Sequence, residues 1–274
     1  MKPVLKWVGG KTQILSDVLS RFPREIVNYH EPFVGGGSVL LGLLASPDIR
    51  VTGTVYASDV NPILINFYQT VQTRLEDLLA HLRTLVQEYT ASEDREAFYY
   101  RTRDAFNQTL HDTVESAALF LFLNKTCFRG VYREGPRGFN VPFGHYKTTD
   151  VLDESNLRSV SAAIQKVVFT CESFEKALVR PTAGDFVYAD PPYIPETQTS
   201  FVGYVAGGFA KHALLFETLK TLPCPFLLSN SNVPLVRESF PAPYTVDVIT
   251  VRRAIHSKKP ESQTTETLTH SPTL

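Results

Sequence analysis

The 274-residue chain predicts an α/β fold in which a mainly parallel sheet is interrupted by an inserted helical subdomain. Two observations predict it. Short segments rich in β-branched and aromatic residues alternate with segments of helical periodicity, the arrangement that builds parallel sheets. One gap between neighbouring strands, from Asp59 to Lys166, holds about a hundred residues, far more than a single crossover helix uses.

Strands are expected at 26–33 (IVNYHEPF), 51–60 (VTGTVYASDV), 166–172 (KVVFTCE), 185–190 (DFVYAD), 226–230 (FLLSN) and 244–252 (YTVDVITVR). Helices are expected at 11–20, 38–45, 62–88, 93–109, 113–124, 151–165 and 210–221. The pattern is clearest in 62–88, where Leu64, Ile65, Phe67, Tyr68, Val71, Leu75, Leu78, Leu79, Leu82, Leu85 and Val86 recur at spacings of three and four. Residues 66–147 read as the insertion, which leaves 1–65 and 148–274 for the sheet domain. The polar end, Ser257 to Leu274, reads as loosely held, and its TTETLTHSPTL is more polar than a usual final sheet strand.

A composition of 43% hydrophobic and 20% charged residues is that of an ordinary soluble globular protein. The longest apolar run, Ala117–Leu123, falls far short of the ~18 residues of a membrane span, so no membrane is expected. MKPVLKWVGGK has no signal-peptide core, and an intracellular location is expected. Cys127, Cys171 and Cys224 lack metal-site spacing and read as small packing residues in a reducing compartment; no metal is expected. A net charge of −1 predicts no general affinity for nucleic acid. Its distribution does: Lys125, Arg129, Arg133, Arg137 and Lys147 face a single acid, Glu134, between Asn124 and Lys147.

Three motifs carry chemistry. Glu31-Pro32-Phe33-Val34-Gly35-Gly36-Gly37-Ser38 joins a strand to a helix, where glycines let a ligand approach the backbone and helix amides point at it. The next strand ends in Ser58-Asp59, an acid placed to hold a ribose diol. Asp190-Pro191-Pro192-Tyr193 ends a later strand, because two prolines remove two donors and fix two φ angles. Its carboxylate, its acceptor-only proline carbonyls and its ring suit a flat substrate carrying an amino group. Trp7-Val8-Gly9-Gly10-Lys11-Thr12 is not a phosphate loop, since Leu5 stands where that motif requires glycine.

In this order the motifs resemble those of the S-adenosylmethionine-dependent DNA adenine-N6 methyltransferases, and most closely the Dam-type group (D12 class, alpha group) that methylates GATC. The resemblance runs from Leu5 to about Ser257. LKWVGGK is similar to the family's N-terminal cofactor motif, EPFVGGGSV to its Gly-rich motif and ASDVNP to its ribose-binding acid. LNKTCFRGVYR and GFNVPFGHYK resemble its DNA-recognition segment, and LLSN and VRRAIHS later segments. It implies a Rossmann-like methyltransferase fold with helices on both faces, and a monomer acting on double-stranded DNA. For S-adenosylmethionine it implies a site of Trp7, Lys11, Phe33, Gly35, Gly37, Asp59, Ser173, Phe174 and Asp190. Asp190, Pro191, Pro192 and Tyr193 become the catalytic residues. Lys6, Phe128, Val131, Arg133 and Tyr146 are implied at the bases and Pro142 elsewhere in the DNA-binding surface; Asn124, Lys125, Arg129, Arg137 and Lys147 are expected at phosphates. The chain departs from the group at Arg129, where Asn is expected, and in a slightly shorter Glu134–Gly138 loop. The alternatives are methylation of RNA adenine or protein glutamine, and a DNA-binding regulator without catalysis.

Overall fold

Seven β-branched or aromatic runs pair into one sheet in the computed structural model, which describes residues 1–147, 150–195, 209–252 and 263–272. The strands are β1 (Tyr29–Glu31), β2 (Val55–Asp59), β3 (Val167–Cys171), β4 (Phe186–Ala189), β5 (Phe226–Ser231), β6 (Thr245–Arg252) and β7 (Gln263–His270). Their spatial order is β3-β2-β1-β4-β5-β7-β6. β1 to β5 are parallel, whereas β7 runs antiparallel between β5 and β6. The mixed α/β class with a mostly parallel sheet is therefore as expected. β4 and β5 are buried at every residue, as strands covered on both faces are. The chain order reverses between β1 and β4, and the carboxyl ends of strands beside such a switch form the ligand crevice of doubly wound sheets.

The tail corrects the expectation of a loosely held end: β7 lies inside the sheet, with Leu268, Thr267 and Thr269 fully buried. Threonine is polar but β-branched, and its hydroxyl can be satisfied inside a sheet; Thr267 Oγ1 donates to the Asn230 carbonyl. The VRRAIHS resemblance runs into residues 253–257, outside the described residues. The first expected strand is also divided. Glu25–Ile26 pairs with Arg50–Val51 as a separate short parallel ladder, and β1 starts only at Tyr29.

The helices follow the periodicity with one break. α1 (Leu15–Leu19) continues a 3-10 turn at Lys11–Ile14, and α2 (Ser38–Ala45) matches its expected bounds. The 62–88 pattern is two helices, α3 (Pro62–Thr73) and α4 (Leu75–Ala91), separated at Arg74. Asn61 caps α3 through the Ile63 and Leu64 amides, with Pro62 in the first turn where it loses no hydrogen bond. α5 (Arg95–Gln108) and α6 (Val114–Thr126) follow, then α7 (Glu154–Ala163), α8 (Phe174–Ala177), α9 (His212–Lys220) and α10 (Pro234–Ser239). α6 is buried on all sides, as an apolar helix should be, and packs against α3, α4 and α5. Its Phe120 joins Phe67 and Trp7, so the core of the helical segment is continuous with that of the sheet.

A hairpin, Glu134–Gly135 with Gly138–Phe139, went unforeseen; Gly138 takes φ 89° there. Cys127 and Cys224 are buried, but Cys171, expected to pack, is exposed at the end of β3. Among the described residues no helix is long and apolar enough to cross a membrane, and no cluster of His, Cys, Asp and Glu forms a metal site.

Candidate active site

The three motif loops meet at the carboxyl ends of β1, β2 and β4. Asp190 follows β4 directly, and Lys11, from the N-terminal turn, reaches it: Nζ lies 2.8 Å from Asp190 Oδ2. The lysine is only 3% exposed, while the Asp190 side chain keeps 19% exposure, so the cation is shielded from water and the carboxylate partly so. Asp190 Oδ1 is buried with no hydrogen-bond partner among the described residues. Lys11 Nζ also sits 4.8 Å from the centre of the Tyr193 ring, a cation–π distance. Asp190, Lys11 and Tyr193 are thus one cluster.

The Asp-Pro-Pro-Tyr turn is held at each step. His212 Nε2 lies 2.8 Å from the Pro192 carbonyl, which donates to nothing and accepts this contact. The Ile194 amide donates to Asn230 Oδ1 at 3.1 Å, and Ser231 Oγ donates to the Ile194 carbonyl at 2.6 Å. The Tyr193 hydroxyl donates to Glu266 Oε2 at 2.7 Å. None of His212, Asn230, Ser231 or Glu266 was foreseen. The expected LLSN segment marked the right strand, but Glu266 carried no local signal.

The Gly-rich turn has positive φ at Gly35 (46°) and Gly37 (70°). The structure adds a second reason for these glycines. A Cβ on Gly35 would meet the Trp7 ring at 3.0 Å, and one on Gly37 would meet the Tyr68 hydroxyl at 2.6 Å. The glycines thus admit the protein's own side chains, beyond any room they leave for a ligand. Trp7 also stacks on Tyr132, with ring centres 5.6 Å apart, and Tyr68 donates to the Gly35 carbonyl. Asp59 fixes the same turn: the Gly35 amide donates to Oδ2 at 3.2 Å and the Asn61 amide to Oδ1 at 3.0 Å. Phe33 packs on Phe174, with ring centres 5.7 Å apart, and Ser173 precedes α8 beside them.

Burial dominates the electrostatics. It pushes the Asp190 carboxyl up to about 6 against the opposing pull of Lys11. It pushes Asp59 to about 6 as well, although the Asn61 and Gly35 amides favour the carboxylate. Glu31, at the end of β1, is pushed to about 8 and accepts from the Tyr29 hydroxyl at 2.7 Å. At neutral pH the crevice therefore holds a mostly ionised Asp190 and a mostly protonated Glu31.

The expected recognition segment forms a second cluster. Cys127 bridges Phe143, and the Phe128 amide donates to the Pro142 carbonyl, pinning the two strands of the segment together. Tyr146 accepts from the Arg129 amide at 2.7 Å while Lys6 Nζ lies 4.7 Å from its ring centre. Phe128 is 48% exposed; Pro142, Arg133, Arg137 and Lys147 are exposed, and Val131 and Lys125 half-buried. Arg133 Nε donates to Asn140 Oδ1 at 2.6 Å, and Arg137 lines a separate cleft between the hairpin and α5. Asn124 contradicts its expected phosphate contact. It is 2% exposed, and its amide accepts from the Lys6 amide and donates to the Lys6 and Gly130 carbonyls. Its place in the buried stretch Ser116–Asn124 of α6 is the physical reason.

Comparison with known families agrees with this geometry. Residues 7–255 match the model of the D12 class N6 adenine-specific DNA methyltransferases. The chain belongs to this family. It is 38% identical over 275 residues to the type II methyltransferase M.MjaIII of Methanocaldococcus jannaschii, covering 94% of each chain. It is 35% identical over 261 residues to the DNA adenine methylase of Escherichia coli K12, covering 92% of this chain and 88% of that one. A DNA N-6-adenine-methyltransferase of Escherichia phage P1 is 31% identical over 269 residues, which are 94% of this chain but 33% of that longer protein. Membership makes this D12 chain an adenine-specific DNA methyltransferase and implies a methyl donor of the S-adenosylmethionine type. It sets aside the alternatives of RNA adenine, protein glutamine and a non-catalytic regulator.

Proposed function

We propose that the chain, as a monomer, methylates N6 of an adenine flipped out of duplex DNA, within GATC, at the Asp190–Tyr193 turn. The carrying observation is the buried Asp190 Oδ1, which has no hydrogen-bond partner among the described residues and lies beside the Tyr193 ring at the switch of the sheet. A buried acceptor without a partner among the described residues calls for a ligand N–H, because an unpaired buried oxygen is costly.

The residues present fit S-adenosylmethionine. Asp59 offers acceptors at the end of β2, Phe33 and Phe174 an apolar aromatic wall, and Trp7, Lys11, Gly35, Gly37 and Ser173 complete the surroundings. When bound, it supplies an electrophilic methyl carbon on a sulfonium.

The chain's own residues then act on the base. The N6 lone pair is delocalised into the adenine ring and is a poor nucleophile. Asp190 Oδ1 accepts one N6–H and the Pro191 carbonyl the other, which draws the lone pair out of conjugation. The same oxygens stabilise the positive charge that develops on N6. The Pro192 carbonyl, already engaged by His212, is not available for this. Lys11 keeps Asp190 ionised by holding Oδ2. Tyr193 turns one face to Lys11, and its other face stacks on the base.

Such a base is out of reach inside a duplex, which is why flipping belongs to the reading. Residues 66–147 serve as the recognition subdomain. Arg133 exchanges its Asn140 contact for a guanine edge, Lys6, Pro142 and Tyr146 face bases, and Val131 meets a thymine methyl. Exposed Phe128 stacks on the base left unpaired. Lys125, Arg129, Arg137 and Lys147 bind phosphates, while Asn124 positions Lys6 from beneath. The test is tritium transfer from labelled S-adenosylmethionine to duplexes with one GATC or none. Label confined to the GATC duplex is expected; equal label in both overturns the sequence assignment.

A further inference from the structure

We infer that Glu266, on the last strand, is a positioning residue for the methyl transfer, acting through the hydroxyl of Tyr193. The inference rests on the reading of Asp190–Tyr193 as the site. Glu266 Oε2 accepts from the Tyr193 hydroxyl at 2.7 Å, a well-formed O–H···O hydrogen bond. The contact joins residues 73 apart in sequence, so no local geometry imposes it.

Glu266 is itself rigidly placed. It lies in β7, opposite Ser231 of β5 on one side and Ile249 of β6 on the other. Ser231 in turn holds the Ile194 carbonyl, so one sheet position anchors both the backbone after Tyr193 and its side-chain tip. The prolines fix the approach of the chain but leave the Tyr193 side-chain torsions free. Two contacts remove that freedom: Glu266 at the hydroxyl and Lys11 Nζ against the ring face, 4.8 Å from its centre. Because Lys11 also holds Asp190, the order Glu266–Tyr193–Lys11–Asp190 sets the stacking face and the acceptor relative to each other. A hydroxyl committed to a carboxylate is also not the group that exchanges protons with the substrate.

The test is a mutant cycle on the full chain, scored by kcat and KM for duplex DNA, by fluorescence of 2-aminopurine at the target adenine and by thermal melting. Tyr193→Phe keeps the ring and removes the hydroxyl. Both Glu266→Ala and Tyr193→Phe are expected to lower kcat by about ten- to a hundredfold, the size of one hydrogen bond to a charged group. The double variant should fall no further than the worse single one, and Glu266→Gln, which keeps an acceptor, should recover most of the loss. Independent, multiplicative losses overturn the inference, as does wild-type kcat in Glu266→Ala. If Glu266→Ala melts below the assay temperature, Glu266→Gln with and without Tyr193→Phe still decides: coupled small losses support the inference and uncoupled ones overturn it. Tyr193→Ala separates the two levels. Full activity there sinks the site reading itself, whereas a crippled Tyr193→Ala beside an unaffected Glu266→Ala sinks only the role of Glu266.

Discussion

Lys11 and Asp190 form an ion pair of 2.8 Å that joins the N-terminal turn to the end of β4 and leaves one carboxylate oxygen without a partner among the described residues. The lysine engages Oδ2; the substrate side is Oδ1. Burial and the ammonium pull the Asp190 carboxyl in opposite directions, and the balance stands at about 6.

The acid limb of the rate profile follows from that balance. Activity needs the carboxylate, so kcat/KM should rise through about pH 6. Lys11→Met removes the opposing charge and leaves burial and the Glu266 charge, which both raise the carboxyl, so the limb should move up by about one unit or more. Measurement of kcat/KM against pH for both proteins checks this; an unmoved limb contradicts the pairing.

Glu31 predicts the reverse trend for stability. Its carboxyl is pushed to about 8 in the folded chain, against 4.5 ordinarily. Between those values the folded state holds a proton that the unfolded state releases, so stability falls as pH rises from about 4.5 to 8. The slope from one such proton is at most ~1.4 kcal/mol per pH unit. Glu31→Gln should remove this slope, and urea unfolding at pH 5, 6.5 and 8 measures the difference from the natural chain.

Gly37 predicts a packing conflict. With φ 70° and a Cβ 2.6 Å from the Tyr68 hydroxyl, Gly37→Ala is strained twice, and the cost should be roughly 1–3 kcal/mol. Replacing Tyr68 by Phe removes the atom in the way and should recover part of that cost. Denaturant midpoints of the two singles and the double are the check.

The motif loops were legible because each depends on local chemistry. Glycines at positive φ, an acid at a strand end and a proline pair announce themselves wherever the chain folds, and Gly35, Asp59 and Asp190 lie at the carboxyl ends of parallel strands. The supports of those loops were not legible. Glu266 and His212 act across sequence separations of 73 and 20 residues, through contacts that no short pattern encodes. β7 was missed because its threonines read as polar, although Thr267 and Thr269 are buried in the sheet. Asn124 was misread for the opposite reason: it adjoins a lysine in a basic run, yet α6 turns it inward.

The recognition segment separates two kinds of residue. Lys147→Ala should weaken binding to every duplex and reduce the slope of log affinity against log salt by about 0.9. Arg133→Ala should instead relax discrimination at one base pair, by about 1–3 kcal/mol. Asn124→Ala should cost about 1–3 kcal/mol of stability, because the part-buried Lys6 backbone groups and the buried Gly130 carbonyl lose their partner, and leave the salt slope unchanged. Binding titrations at several salt concentrations, with melting curves, distinguish the three.

The assignment of the reaction to the Asp190–Tyr193 turn is tested most directly by Asp190→Ala, comparing single-turnover formation of N6-methyladenine in a GATC duplex with equilibrium binding of S-adenosylmethionine. Methyl transfer should be lost while binding of the cofactor remains measurable. Undiminished N6-methyladenine from the Asp190→Ala chain would contradict the assignment.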